Sequence, residues 1–283
     1  MKKLVLALLV AALAVSGATA VSAAEISLEA PKATVKIDGV KDAGYGEAYK
    51  VATFKDDAKT GATGLASFAW DDNNLYLYIE VTDTTPNHDH ANSWERDCVE
   101  WFIDWENIRT SGDKKNGGHP YYQVRIASAA TSEGKDPITG GDISGVADAA
   151  TTRAAVQYVV KPLKGNDLSN GYIVEMAVPA KAEFKTSVKE GQIIGTDIQV
   201  GDNQTGAGRV SQAFLGDLKG DKSLVDKQSS NPAANCANLK LVAAKKVTPP
   251  ATAAQTSDVS IAVAAVALGA AAAGIALSKK RSK

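Results

Sequence analysis

A carboxylate at Glu100, a guanidinium at Arg125 and an amide at Gln199 occupy polar positions in three segments of alternating polarity. Side chains repeat every second residue along a β-strand, so neighbouring strands would hold the three on one face. A carboxylate accepts hydrogen bonds, a guanidinium donates them and an amide does both. That mixture suits sugar hydroxyls, which also do both. The apolar face of a pyranose ring wants an aromatic platform, and Trp94, in the run Asn92-Ser93-Trp94-Glu95, can supply one. The same residues admit a plainer arrangement, a cross-strand Glu100–Arg125 ion pair with Trp94 plugging the end of the fold.

Other chemistries are poorly served. Glu100 and Asp104 share one face of one segment, but four residues of strand separate them by roughly 13 Å. Retaining glycosidases need about 5–5.5 Å and inverting ones about 6.5–9.5 Å. His88 and His90 could form a metal pair, but they sit in a polar Asn/Asp loop and His119 is the sole further histidine. Met176, the candidate axial ligand of a haem sandwich, falls on the apolar face of its segment. Glycine-rich phosphate loops and serine elbows are absent from the sequence.

The segments that must position the polar residues read as strands. Leu75, Leu77, Ile79 and Val81 alternate with Tyr76, Tyr78, Glu80 and Thr82. Asp71-Asp72-Asn73-Asn74 ahead of them is turn chemistry, which makes Phe68-Ala69-Trp70 the partner arm of a hairpin. Period-two runs recur at Val99-Trp101-Ile103, Tyr122-Val124-Ile126, Val156-Tyr158-Val160, Tyr172-Val174-Met176-Val178 and Ile194-Thr196-Ile198-Val200. Leu239-Lys240-Leu241 closes the series, and Thr131 to Thr152 reads as a long surface loop. Many short strands with turn signals predict an all-β fold, an antiparallel, jelly-roll-like β-sandwich over residues 25–242.

The 283 residues carry 17 aromatics, all between Tyr45 and Phe214. The ends are different in kind. Met1-Lys2-Lys3, an apolar run from Leu4 to Val15 and small residues up to Ala24 have the layout of a secretory signal peptide over residues 1–24. Residues 243–257 read as a Pro/Thr/Ala-rich linker. Val259 to Leu277 is a 19-residue apolar stretch followed by Lys279, Lys280, Arg281 and Lys283, so residues 258–283 read as a transmembrane helix with a cytoplasmic basic tail. Without those ends the chain keeps 25 bases and 31 acids, a balance that excludes nucleic acid as partner.

Several segments, in shared order, resemble carbohydrate-binding module family 9. These are Val35-Lys36-Ile37-Asp38-Gly39; Trp70-Asp71-Asp72-Asn73-Asn74-Leu75-Tyr76-Leu77; Trp94-Glu95-Arg96-Asp97-Cys98-Val99-Glu100-Trp101-Phe102-Ile103-Asp104; Gly171 to Pro179; and Ile194 to Asp202. The resemblance covers about Thr34 to Leu241. It implies a β-sandwich in which a terminal sugar lies between two tryptophans and polar side chains grip its hydroxyls. Trp94 matches the first stacking tryptophan, Glu100 a sugar-binding glutamate, Arg125 a binding arginine and Gln199 a binding glutamine. The second tryptophan belongs between Gly216 and Asn238, a stretch without Trp, Tyr or Phe, where Leu224 or a neighbour stands instead. Half a clamp forfeits stacking of about 1–2 kcal/mol, or about tenfold in affinity.

The resemblance also implies structural calcium, with Asp38, Asp42, Asp83 and Asp202 as candidate oxygen donors. Cys98 and Cys236 could form a disulfide in an exported protein or remain two free thiols. Gln255-Thr256-Ser257-Asp258, the apolar span and the basic tail resemble a Gram-positive sorting signal, which a sortase cuts after the threonine, here Thr256. Ala254 stands where such signals carry proline. The reading is thus a non-catalytic, extracellular protein held at the cell membrane or wall that binds ends of glucan- or xylan-class polysaccharides or oligosaccharides. The alternative is an adhesion or structural sandwich that has lost sugar binding.

Overall fold

The computed structural model describes residues 27–54, 61–107, 122–128, 143–144, 154–180, 188–215 and 237–245. Residues 1–24, read above as a leader, the apolar stretch Val259 to Leu277, Thr256, Cys236, Leu224 and His119 lie outside the described residues. The strands belong to one compact unit, Met1–Ala244; a second unit, Lys245–Lys283, is described only at Lys245. Among the described residues no helix is long and apolar enough to cross a membrane.

Thirteen strands are described: β1 (Ser27–Pro31), β2 (Tyr49–Val51), β3 (Thr53–Phe54), β4 (Thr63–Trp70), β5 (Asn74–Thr82), β6 (Cys98–Asp104), β7 (Tyr122–Ala127), β8 (Ile143–Ser144), β9 (Gln157–Pro162), β10 (Tyr172–Pro179), β11 (Ile193–Asp202), β12 (Ser211–Phe214) and β13 (Ala237–Val242). They form two sheets. The smaller runs β2-β4-β5-β10-β9. The larger runs β1-β13-β11-β6-β7-β8, with β12 also on β11 and β3 on β12. The described pairings are antiparallel except β1–β13, which is parallel and departs from the all-antiparallel expectation. The loop predicted over Thr131–Thr152 contains β8, two residues paired to β7.

The hairpin forms as its sequence dictates. β4 and β5 pair from Thr63↔Thr82 to Trp70↔Leu75. Asp71 closes the turn, its Oδ1 accepting the backbone N–H of Asn73 and of Asn74 at 2.8 Å each. The alternating apolar residues of both sheets meet in one core that includes Phe68, Leu77, Trp101, Val174 and Ile198. Phe68 from the smaller sheet tilts against Trp101 from the larger, ring centroids 6.0 Å apart. The Trp101 indole N–H is satisfied inside the core by Thr196 Oγ1 at 2.8 Å.

Tyr76 and Tyr78 of β5 and Ile173, Glu175 and Ala177 of β10, on the side away from the main core, are buried as well, because a second apolar cluster brings Val35 and Tyr45 against Tyr76, Tyr78 and Ile173. Glu175 anchors this cover. Its carboxylate accepts the backbone N–H of Asp38 (2.8 Å), that of Gly39 (2.6 Å) and the Tyr45 hydroxyl (2.9 Å). Glu175→Ala orphans three donors at once and should cost about 2–4 kcal/mol in urea unfolding. A loss below about 1 kcal/mol would mean that the segment is held by its apolar contacts alone.

Candidate functional site

Glu100 lies at the middle of β6, directly opposite Gln199 on β11 and Arg125 on β7. The three therefore form one rung across three strands, all on the face away from the core. The sequence treats that face as solvated, yet Glu100 is 3% exposed, Gln199 1% and Arg125 9%. A buried carboxylate must be satisfied by donors, and Glu100 is. Its Oε2 accepts from Arg125 Nη2 at 2.9 Å and from the amide of Gln123, the next outward-facing residue on β7. Its Oε1 accepts from Gln199 Nε2 at 2.7 Å and from Arg209 Nη1 at 3.3 Å. The cross-strand Glu100–Arg125 ion pair thus exists, but as one part of a larger network.

Trp94 sits on a 3₁₀ turn, Ser93–Glu95, just before β6. It does not plug the sandwich; it is 46% exposed, whereas Trp70, Trp101 and Trp105 are buried. The turn is stitched to the network on both sides. Ser93 Oγ accepts from Arg125 Nη1 at 3.3 Å. Glu95 Oε2 accepts the backbone N–H of Arg209 at 2.9 Å, and the Glu95 carbonyl accepts from Asn203 Nδ2 at 2.7 Å. The exposed indole is therefore carried on a turn that is bonded on both sides to the polar network.

Sequence reasoning missed Gln123, Arg209 and Gln212. Gln212 lies on β12 opposite Gly201 of β11. With its amide turned to satisfy its neighbours, its oxygen accepts from Arg209 at 3.0 and 3.1 Å and from Gln199 Nε2 at 3.1 Å. Arg209 follows the run Thr205-Gly206-Ala207-Gly208, which has no periodicity to announce a functional side chain. Cys98 is a free, buried thiol whose Sγ approaches Glu100 Oε1 at 4.0 Å; burial, then the nearby Glu100 carboxylate, pushes its pKa up.

A second cluster lies at the adjoining ends of β5, β6 and β11. Oxygens of Asp83, Asp97 and Asp202 come within 4.8 Å of one another, and all three residues are buried. Asp83 Oδ2 and Asp202 Oδ1 have no hydrogen-bond partner. Burial, opposed by backbone N–H groups of Asn203 and Asn87 and reinforced by the two neighbouring carboxylates, holds Asp97 up at about 8. Asp83 is raised too, chiefly by burial. Hard oxygen donors converging with unsatisfied lone pairs suit a divalent cation such as calcium. A cleft of about 270 Å³, with Thr63, Thr82, Thr85 and Gln204 on its walls, opens on Asp83 and Asp202. Asp38 and Asp42 do not join this cluster: Asp38 pairs with Lys36 and caps Val40, and Asp42 caps Gly44. No described metal-ligating cluster contains His88 or His90, and Met176 is fully inside the core.

A two-sheet sandwich carrying an exposed indole beside a hydrogen-bonding floor is the architecture of a binding module. The chain belongs to the carbohydrate family 9 binding domain-like family, whose model matches residues 37–232. Its fold is similar to that of a family 9 carbohydrate-binding module from Caldicellulosiruptor kristjanssonii solved with glucose: TM-score 0.58, 20% identity, covering 79% of this chain and all of that one. The same module solved with cellotriose also gives 0.58 at 20% identity, covering 78% and 95%. Endo-1,4-beta-xylanase C of Paenibacillus barcinonensis is 28% identical over 183 residues, 64% of this chain and 14% of that enzyme. Exoglucanase XynX of Acetivibrio thermocellus is 30% identical over 142 residues, 50% of this chain and 11% of that protein. The chain thus spans a small fraction of the length of these relatives.

Removing Glu100 takes a buried acceptor from two guanidiniums and two amides, so Glu100→Ala should destabilise the fold by about 3–5 kcal/mol. Trp94→Ala, at an exposed site, should change stability by less than about 0.5 kcal/mol. Chemical unfolding of both variants checks the contrast; equal effects would contradict the division into buried floor and exposed platform.

Proposed function

We propose that the protein is a non-catalytic binder of poly- or oligosaccharide ends, with Trp94 as stacking platform over the floor built on Glu100, Arg125 and Gln199. The observation that carries this reading is the single cross-strand rung of those three residues beside a half-exposed indole. Glu100 serves as the hub, and the donors ranged round it meet the hydroxyls. Glucose and cellotriose in the similar solved modules support a glucan-class ligand, and the xylanase relatives support xylan as well. Affinity is modest because the stretch 216–238 offers no second aromatic. Trp94→Ala, shown to be folded, should lower affinity for cello- or xylo-oligosaccharides by about tenfold or more in calorimetry. Unchanged affinity would remove the site assignment. A folded parent that binds no saccharide would favour the adhesion or structural alternative.

The reading extends to the ends of the chain. Residues 1–24 act as an export signal, residues 25–242 are the binding domain, residues 243–257 a linker and residues 258–283 an anchor. Anchoring is by membrane retention or by sortase cleavage after Thr256, in a Gram-positive cell. A tether makes modest affinity sufficient for retention at the surface, because the second and later contacts become local.

Calcium is assigned to Asp83, Asp97 and Asp202, on the strength of their converging buried oxygens, of which Asp83 Oδ2 and Asp202 Oδ1 are unsatisfied. Bound there, it would supply the charge that the three carboxylates need to stay together. Calcium added at a hundred times its Kd to metal-stripped protein should stabilise it by about 2.7 kcal/mol, seen as a rise in Tm. Asp202→Asn should remove most of that rise. A Tm indifferent to calcium would contradict the assignment.

A further inference from the structure

The acidic trio and the Trp94 turn meet in one buried residue, Asn203. It follows Asp202 directly, and its backbone N–H donates to Asp97 Oδ1. Two of the three clustered carboxylates thus flank its backbone. Its side-chain amide serves other segments. Nδ2 donates to the Glu95 carbonyl at 2.7 Å, and Oδ1 accepts the backbone N–H of Gly206 at 2.7 Å and of Thr205 at 3.2 Å. Glu95 is the residue after Trp94 in the same 3₁₀ turn. One side chain therefore joins the acidic cluster to the segment that carries the exposed indole.

The trio is only partly compensated by the protein. Asp97 takes the backbone N–H groups of Asn87 and Asn203, and Asp83 Oδ1 takes that of Thr85 at 2.8 Å. Asp202 Oδ2 takes the Ser211 hydroxyl at 3.1 Å and Gln204 Nε2 at 3.2 Å. Asp83 Oδ2 and Asp202 Oδ1 take nothing, and no ion pair among the described residues involves the three. A group outside the trio points to the same place. The Tyr172 hydroxyl is wholly buried and has no hydrogen-bond partner. Burial first, then the charges of Asp97, Cys98, Asp83 and Asp202, push its pKa up, so it lies in the field of the cluster. A cation with its bound water among the carboxylates accounts for all three orphaned oxygens.

We propose that Asn203 is a positioning residue that couples two sites: calcium held by Asp83, Asp97 and Asp202 fixes the Trp94 turn through it, so that cation and saccharide each tighten the binding of the other. The inference rests on the saccharide reading and the calcium assignment above. Carboxylates whose oxygens lie within 4.8 Å of one another repel when no cation stands between them, the more so in a buried setting. That repulsion acts on Asn203 from both sides, through Asp202 in the chain and Asp97 on its N–H. A cation cancels it and holds the joint still, and with it the Glu95 carbonyl. A saccharide that selects the fixed turn must in turn favour the cation-bound state, because coupling between two sites is reciprocal.

The test is calorimetry on the full chain with cellobiose and xylobiose, metal-stripped and in saturating calcium, at a temperature where both forms are folded. Calcium should tighten the bound sugar by about tenfold. The Trp94 indole N–H resonance should also shift on adding calcium, before any sugar. Asn203→Ala keeps the backbone N–H to Asp97 and loses the amide. It should keep the calcium-induced rise in Tm, yet bind sugar with one weaker affinity whether or not calcium is present. If calcium raises Tm but leaves the parent's sugar affinity unchanged, the cation is purely structural; that overturns the proposal and leaves both readings intact. Calcium tightening sugar equally in the parent and in Asn203→Ala also overturns it, because the coupling then bypasses Asn203. A Tm and an affinity both indifferent to calcium remove the calcium assignment and this inference with it. A folded parent that binds neither sugar in either state removes the saccharide reading and this inference with it. Should Asn203→Ala fail to fold, the parent's own Trp94 resonance decides: if saturating calcium leaves it unmoved, the proposal is overturned.

Discussion

The polar half of this molecule is organised round one buried charge. The Glu100 carboxylate has left water and is compensated by side chains from β6's two neighbouring strands and from the segment leading into β12. A charge in low dielectric tolerates little slack, because each lost donor leaves several kcal/mol of desolvation uncompensated. Arg125, Gln199, Gln123 and Arg209 are therefore held at fixed angles, and the Trp94 turn is tied to two of the segments that hold them. Order in the site comes from satisfying Glu100.

This division alters the meaning of the rung. A glutamate on the polar side of a strand reads naturally as a group that grips ligand. Here both of its oxygens are engaged by the protein, through Gln123, Arg125, Gln199 and Arg209 ranged round it. The apolar clusters stand to the sandwich as the Glu100 network stands to the site. The Phe68–Trp101 contact joins the sheets, while Glu175 fastens the Asp38–Tyr45 region over the far side of the smaller sheet. The acidic trio is linked to the Trp94 turn, since Asp97 accepts the Asn203 N–H and Asn203 in turn holds the Glu95 carbonyl.

Much of this was legible from residue spacing. Period two identifies β5, β6, β10 and β11 because one side of each strand packs into the same core, and it places Glu100, Arg125 and Gln199 on the other side correctly. Burial of that other side was not legible. Alternation reports polarity, and a polar residue can be solvated by water or satisfied by protein donors; only the register shows which. β3 and β8, two residues each, are too short to carry a period, and Ser211-Gln212-Ala213-Phe214 lacks the β-branched run that marks a strand. Arg209 and Asp97 were missed for a related reason. Each lies outside a regular strand, and its partners are distant in sequence, so no local pattern encodes its role.

The most direct test of the account is an NMR titration of the isotope-labelled protein with cello-oligosaccharide, following the indole and arginine side-chain N–H signals. The account requires the exposed Trp94 indole and the Arg125 guanidinium to shift together with one dissociation constant, while Trp70 and Trp101 stay still. Shifts confined to another surface, or none at saturating sugar, would contradict it.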